Sequence, residues 1–127
     1  MSRSGYSEDC ENLQLWRGNV ERAIKGKKGQ EFFRELLAAL DALPTKRLIP
    51  HELVSEDGEC CALGAVALAR KLDVASVDES DLGISSMLAQ EVVYMNDEYH
   101  RRNTPEERWQ RIRNWVASNL TERTSGL

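Results

Sequence analysis

Cys60 and Cys61 stand side by side in Asp57-Gly58-Glu59-Cys60-Cys61-Ala62-Leu63-Gly64, the most distinctive stretch of the chain. A thiol at the start of a helix lies near backbone N–H groups without intrahelical partners, which stabilise its thiolate. The small apolar run from Ala62 onward places Cys61 at such a start. A cysteine nucleophile also needs a base, and the chain holds two histidines, His51 and His100. Packing is the competing role. Cysteine is often buried as a small hydrophobe, and Gly64 allows a neighbouring backbone to come close. No nucleophile signature flanks the pair, so both thiols are expected to be structural. His51, Asp57, Cys60, Cys61 and His100 could each bind a metal, but no Cys-x-x-Cys or His-x-x-x-His spacing occurs. No metal and no other cofactor is expected.

Asn96-Asp97 closes an apolar periodic segment. With Cys61, the pair would suit a small-ligand or catalytic site, or hold a loop over the cysteines. Both side chains also cap helices and form turns readily, which is the more common use of this dipeptide.

Further on, Tyr99, His100, Arg101 and Arg102 precede Arg108, Arg111 and Arg113. Arg108 and Arg111 are three apart and share a helix face. Such a set suits phosphate, nucleic acid or an acidic protein surface, although Glu98, Glu106 and Glu107 cancel part of the field. Tyr and Arg are enriched at interface hot spots. The expected partner surface is therefore Tyr99, His100, Arg101, Arg102, Arg108 and Arg111, within the stretch from Asn96 to Arg113. Lys25, Lys27 and Lys28 are a weaker cluster and read as cations complementing a helix C-terminus. Gly26-Lys27-Lys28-Gly29 lacks the spacing and the Lys-Ser/Thr of a phosphate loop.

These residues need elements to position them. Leu13, Trp16, Val20 and Ile24 predict a helix over about 11–25, with the Gly26–Gly29 stretch breaking it. Phe33, Leu36, Leu37, Leu40 and Leu43 predict a second over about 30–43, ended by Pro44. The segment 47–61 mixes β-branched residues, Pro50 and an Asp57-Gly58 turn signal, and predicts one small β-hairpin with an edge or kinked strand. Helices follow over about 62–72 and 81–95, the latter striped by Ile84, Leu88, Val92 and Met95. The last starts with the clearest signal in the chain. Thr104 stands at the N-cap, Pro105 at N1 and Glu107 at N3, ahead of Trp109, Ile112, Val116 and Leu120. The fold expected is mainly α: a compact five-helix domain over 11–120 with a hairpin near 47–61. A flexible lead-in spans 1–10 and a flexible tail 121–127.

Composition agrees. The chain has 127 residues, 41% apolar and 30% charged, enough for one hydrophobic core without disulfides or metal. The net charge of −4 excludes both an overall basic nucleic-acid coat and a strongly acidic nucleic-acid mimic. The N-terminus has no apolar stretch of the secretory kind, and no run is long enough to span a bilayer. A cytoplasmic protein with reduced thiols is expected.

The order of these features resembles a loose group of small uncharacterised bacteriophage and prophage proteins. These carry a Gly-x-Cys-Cys-x-Leu-Gly segment, here Gly58 to Gly64, and an Asn-Asp pair before a last helix, here Asn96-Asp97. The likeness spans about residues 13–120. It departs in the charged stretch to Arg102 and in the Thr104-Pro105 cap. It implies a phage accessory protein and transfers no catalytic residue. The function expected is non-enzymatic binding of a host protein, as an inhibitor of a host or defence factor. The alternative is a ligand-binding or enzymatic domain using Cys61, Asn96 and Asp97. A third is a nucleic-acid-binding module on the Arg101–Arg113 region.

Overall fold

Apolar periodicity places five α-helices in the computed structural model, which describes residues 13–73, 75–98 and 102–121, with the backbone alone at 13–16, 79 and 80. They are α1 (Leu13–Lys25), α2 (Lys27–Ala42), α3 (Ala62–Ala69), α4 (Ser86–Asp97) and α5 (Pro105–Asn119). The expected lead-in and the tail beyond residue 121 lie outside the described residues.

The break after α1 is a single residue, Gly26, whose extended backbone makes the corner. Gly29 is not part of the stop. It sits in the first turn of α2, where an added Cβ would fall 1.9 Å from the Ala23 carbonyl oxygen. The second glycine therefore lets α2 cross closely over the end of α1. From there α2 runs against α1, α3 and α5. Phe32, Phe33, Leu36, Ala39 and Leu40 form its buried face. Each large side chain among them contributes about 1.5–3 kcal/mol by leaving water. Leu37, expected in the core, is only half-buried.

Every residue from Ala62 to Ala67 in α3 is buried. A helix that is apolar all round belongs at the centre. It ends three residues earlier than periodicity suggests. Lys71 takes a left-handed conformation at φ 61°, Lys71 N donates to Leu68 O, and Leu72 N donates to Ala67 O. This pair of bonds is a Schellman stop, here without its usual glycine.

The fourth helix starts later than expected, at Ser86. A short 3-10 turn (Glu79–Leu82) and Gly83 at φ 75° occupy the preceding stretch. Ser85 then caps α4 by accepting the Leu88 amide at 3.2 Å. Buried Glu91 of α4 takes a two-pronged ion pair from Arg17 of α1, at 2.8 and 3.1 Å. The capping box of α5 is complete: Glu107 N donates to Thr104 Oγ1 and Thr104 N to Glu107 Oε1.

The predicted hairpin is absent: no strand forms among the described residues. One antiparallel bridge, Val54 to Cys60, closes a turn at Gly58 (φ 84°). The ladder stops there for two reasons. Pro50 has no N–H to donate, and His51 leaves the extended region at φ 77°. At residues 48 and 49 only Ile49 N keeps a partner across the turn, donating to Cys60 O, while Leu48 N donates to Pro105 O. The carbonyls of Leu48 and Ile49 accept from side chains of α5 and α4.

Val20, Phe33, Leu36, Leu40, Leu63, Val66, Leu88, Val92, Trp109, Ile112 and Val116 are buried, as their spacing predicts. The side chain of Trp16 lies outside the described residues. Among the described residues no helix is long and apolar enough to cross a membrane.

Candidate functional site

The structure brings Asn96, Asp97 and the Cys61–Ala62 corner together, with Arg108 completing the group. Asn96 is the last-turn residue of α4 and 1% exposed. Its Oδ1 accepts the amide of Ala62, the first residue of α3, at 3.1 Å. Its Nδ2 donates to Ile49 O at 3.0 Å and to Asp97 Oδ1 at 2.8 Å. Asp97 Oδ1 also accepts the amide of His51 at 3.2 Å. One dipeptide thus holds the 49–51 loop, the end of α4 and the start of α3.

Arg108 enters from α5 and is 3% exposed. Its Nε donates to Asn96 O at 2.9 Å and its Nη1 to Leu48 O at 3.2 Å. Burial pulls its guanidinium below the ordinary arginine pKa, and the nearby Asp97 carboxylate opposes that shift. Buried charges persist where they are paired and hydrogen-bonded, as here. The His51 imidazole is exposed, with Nδ1 3.8 Å from Asp97 Oδ2.

Cys61 is the N-cap of α3, as its place in the sequence suggests. Its Sγ accepts the Gly64 amide at 3.4 Å, and the residue is 1% exposed. Gly64 is required by proximity: an added Cβ would lie 1.9 Å from Leu53 O. Cys60 is buried too, and burial, with Cys61 and Glu59 adding to it, raises its thiol pKa from 9.0 to about 12. A thiol raised that far is protonated at neutral pH, the opposite of an activated nucleophile. Among the described residues no cluster of three or more His, Cys, Asp and Glu side chains could hold a metal ion.

The arginines expected on one partner surface separate. Tyr99, His100 and Arg101 lie outside the described residues. Arg102 is exposed. Arg108 points inward, so its place on an interface is corrected: at a partly apolar position the guanidinium serves two carbonyls. Arg111 is half-buried, and donates to Asn103 Oδ1 and Met95 O at 2.6 Å each. Arg113 forms a two-pronged ion pair with Asp41 of α2, holding that carboxyl below its ordinary range.

Two features went unread in the sequence. Arg47 bridges Glu59 at 3.2 Å and Glu106 at 2.9 Å, tying the 45–60 segment to the start of α5. Beside it a groove of about 550 Å³ opens between that segment and α3. Leu43, Pro44, Cys60 and Leu68 give it apolar lining, and Arg47, Asp57 and Glu59 add charge. Leu68 is the exposed large hydrophobic among the described residues, at 36%. The residues before it in α3, Ala62 to Ala67, are all buried and apolar, which conceals the outward position.

The fold and the cluster define a small helical protein whose polar dipeptide ties its loops to its helices. No family model, curated protein or solved structure matches the chain.

Proposed function

We propose that the chain is a non-enzymatic phage or prophage accessory protein that works by binding a host protein, as an inhibitor of a host or defence factor. The Cys-Cys-x-Leu-Gly and Asn-Asp segments support the phage reading. The observation that carries the binding reading is Leu68, exposed at the edge of a concave, partly apolar groove. Exposed apolar surface in a concavity is the usual seat of a partner's anchoring side chain.

The enzymatic alternative is weaker on chemical grounds. Cys61, Asn96 and Asp97 already hold backbone groups of this chain, and the Cys60 thiol is raised rather than lowered. The nucleic-acid reading loses Arg108 and Arg113 to internal partners. Arg102 remains available on the solvent side.

Affinity capture from host lysate with the wild-type chain and with Leu68→Glu tests the proposal. The variant should fold normally and lose a partner that the wild type retains. Arg102→Glu in the same experiment reports whether the loop before α5 belongs to the interface. Equal recovery of every captured protein by wild type and Leu68→Glu would remove the groove from the proposal. Turnover of any substrate dependent on Cys61 would replace the binding function with the enzymatic one.

A further inference from the structure

The groove at Leu68 carries an excess of negative charge. Arg47 is the cation among the described residues that line it, and it is held by Glu59 at 3.2 Å and by Glu106 at 2.9 Å. One guanidinium thus faces two carboxylates, and one carboxylate is left over. Asp57 adds a second. It is exposed in the turn that the Val54–Cys60 bridge closes, and its side chain has no ion pair or hydrogen bond among the described residues. Nearby cations are engaged elsewhere. Lys46 Nζ donates to Asp41 O and Leu43 O at the end of α2. Arg70, two residues past Leu68, is paired with Glu35 at 2.7 Å.

Between these charges the walls are apolar. Leu43 and Pro44 follow α2, Leu68 stands near the end of α3, and Cys60 closes the side with 3% of its surface exposed. The double ion pair of Arg47 and the Val54–Cys60 bridge hold the segment opposite α3 in place. The concavity is therefore formed before a partner arrives, which lowers the ordering cost of binding.

Given the protein-binding function above, on which this inference rests, we propose that the groove takes a segment presenting one large apolar side chain beside a lysine or arginine. The apolar side chain lies against Leu43, Pro44 and Leu68, and the cation reaches Asp57 at the rim. Apolar burial supplies most of the affinity, because an ion pair in contact with water contributes little. Charge decides between partners. An acidic segment meets like charge from Asp57 and Glu59 as it approaches, and a nucleic-acid strand is repelled on the same ground.

Selection of a random peptide library on the full chain, repeated on Leu68→Ser and Asp57→Asn, tests the proposal. Both positions are exposed, so both variants should fold, and Asp57→Asn keeps the test valid if Leu68→Ser is unstable. Peptides enriched on the wild type should carry a Leu, Met or aromatic residue next to Lys or Arg. For one such peptide, Leu68→Ser should weaken binding by about tenfold or more. Asp57→Asn should weaken it by about twofold to fivefold. Glu21 on α1 is exposed and does not line the groove, so Glu21→Gln should bind like the wild type. Enriched peptides that need Leu68 but are acidic or uncharged overturn this inference alone, as does binding unchanged by Asp57→Asn. Absence of any Leu68-dependent peptide overturns the place of the groove in the binding function as well. A dimer of the chain that Leu68→Ser disperses, seen by sedimentation, also overturns the inference, by seating a second copy in the groove.

Discussion

Arg108 Nε donates to Asn96 O at 2.9 Å, so a residue near the start of α5 closes the carbonyl end of α4. A cation there opposes the partial negative charge of the helix terminus. The same guanidinium reaches Leu48 O, and so joins the loop before α3 to two helices. Arg108→Met should therefore destabilise the fold by on the order of 3 kcal/mol, because two buried carbonyls lose their donor. Arg108→Lys should recover little of this, since one ammonium lacks the fork that reaches both oxygens. Urea unfolding of the three proteins measures it. A loss below about 1 kcal/mol in Arg108→Met would show the cluster to be dispensable.

Asn96 makes bonds in two directions, accepting from Ala62 N and donating to Ile49 O. Asn96→Leu leaves both backbone groups without a partner, at about 1–3 kcal/mol each. Asn96→Asp retains an acceptor but places a second carboxylate against Asp97. Both variants should show lower thermal midpoints, and a double-mutant cycle with Arg108→Met should be non-additive. Additive losses would mean that the two residues act separately.

Two glycines should respond oppositely to alanine. At Gly64 the new Cβ meets Leu53 O at 1.9 Å, so the 53–60 turn must move. Gly64→Ala should cost about 3 kcal/mol or more. At Gly18, inside α1, the nearest atom is Arg22 Nη1 at 3.7 Å. Gly18→Ala should stabilise by about 0.5–1 kcal/mol through helix propensity. Denaturation midpoints of the two variants on opposite sides of the wild type are the expected result.

Leu36 and Leu37 adjoin in α2 but differ in burial. Leu36 is fully buried, and Leu36→Ala should cost about 2–5 kcal/mol. Half-buried Leu37 should cost clearly less. Equal losses would place the core face of α2 one residue further round than the structure has it.

The Cys60 thiol has a pKa near 12 in the fold against an ordinary 9.0, because burial disfavours the thiolate. A group raised on folding contributes its stability below the unfolded pKa and loses it as pH rises through the folded one. Its contribution should thus be complete below pH 9 and decline toward pH 12. Comparing the thermal midpoints of wild type and Cys60→Ala across that window isolates the thiol. At neutral pH Cys60 should also resist thiol reagents until the protein unfolds. Rapid labelling of the folded protein at neutral pH would contradict its burial.

The helices and their inward faces follow from local rules that the sequence states openly. Val20, Phe33, Leu63, Val92, Ile112 and Val116 recur at helical spacing because one face of each helix must leave water. The Thr104 cap of α5 is equally local, since cap and amide are three residues apart. What sequence could not decide depends on atoms distant along the chain. Asn96, Asp97 and Arg108 read as turn and surface residues because their types are usual there. Their partners, at Ile49, His51, Ala62 and Leu48, are brought near only when α3, α4 and α5 pack. The same packing cut the expected hairpin back to a single bridge, with side chains of α5 and α4 serving the carbonyls of Leu48 and Ile49. The groove at Leu68 likewise arises between elements, and a groove between elements has no signature along a single one.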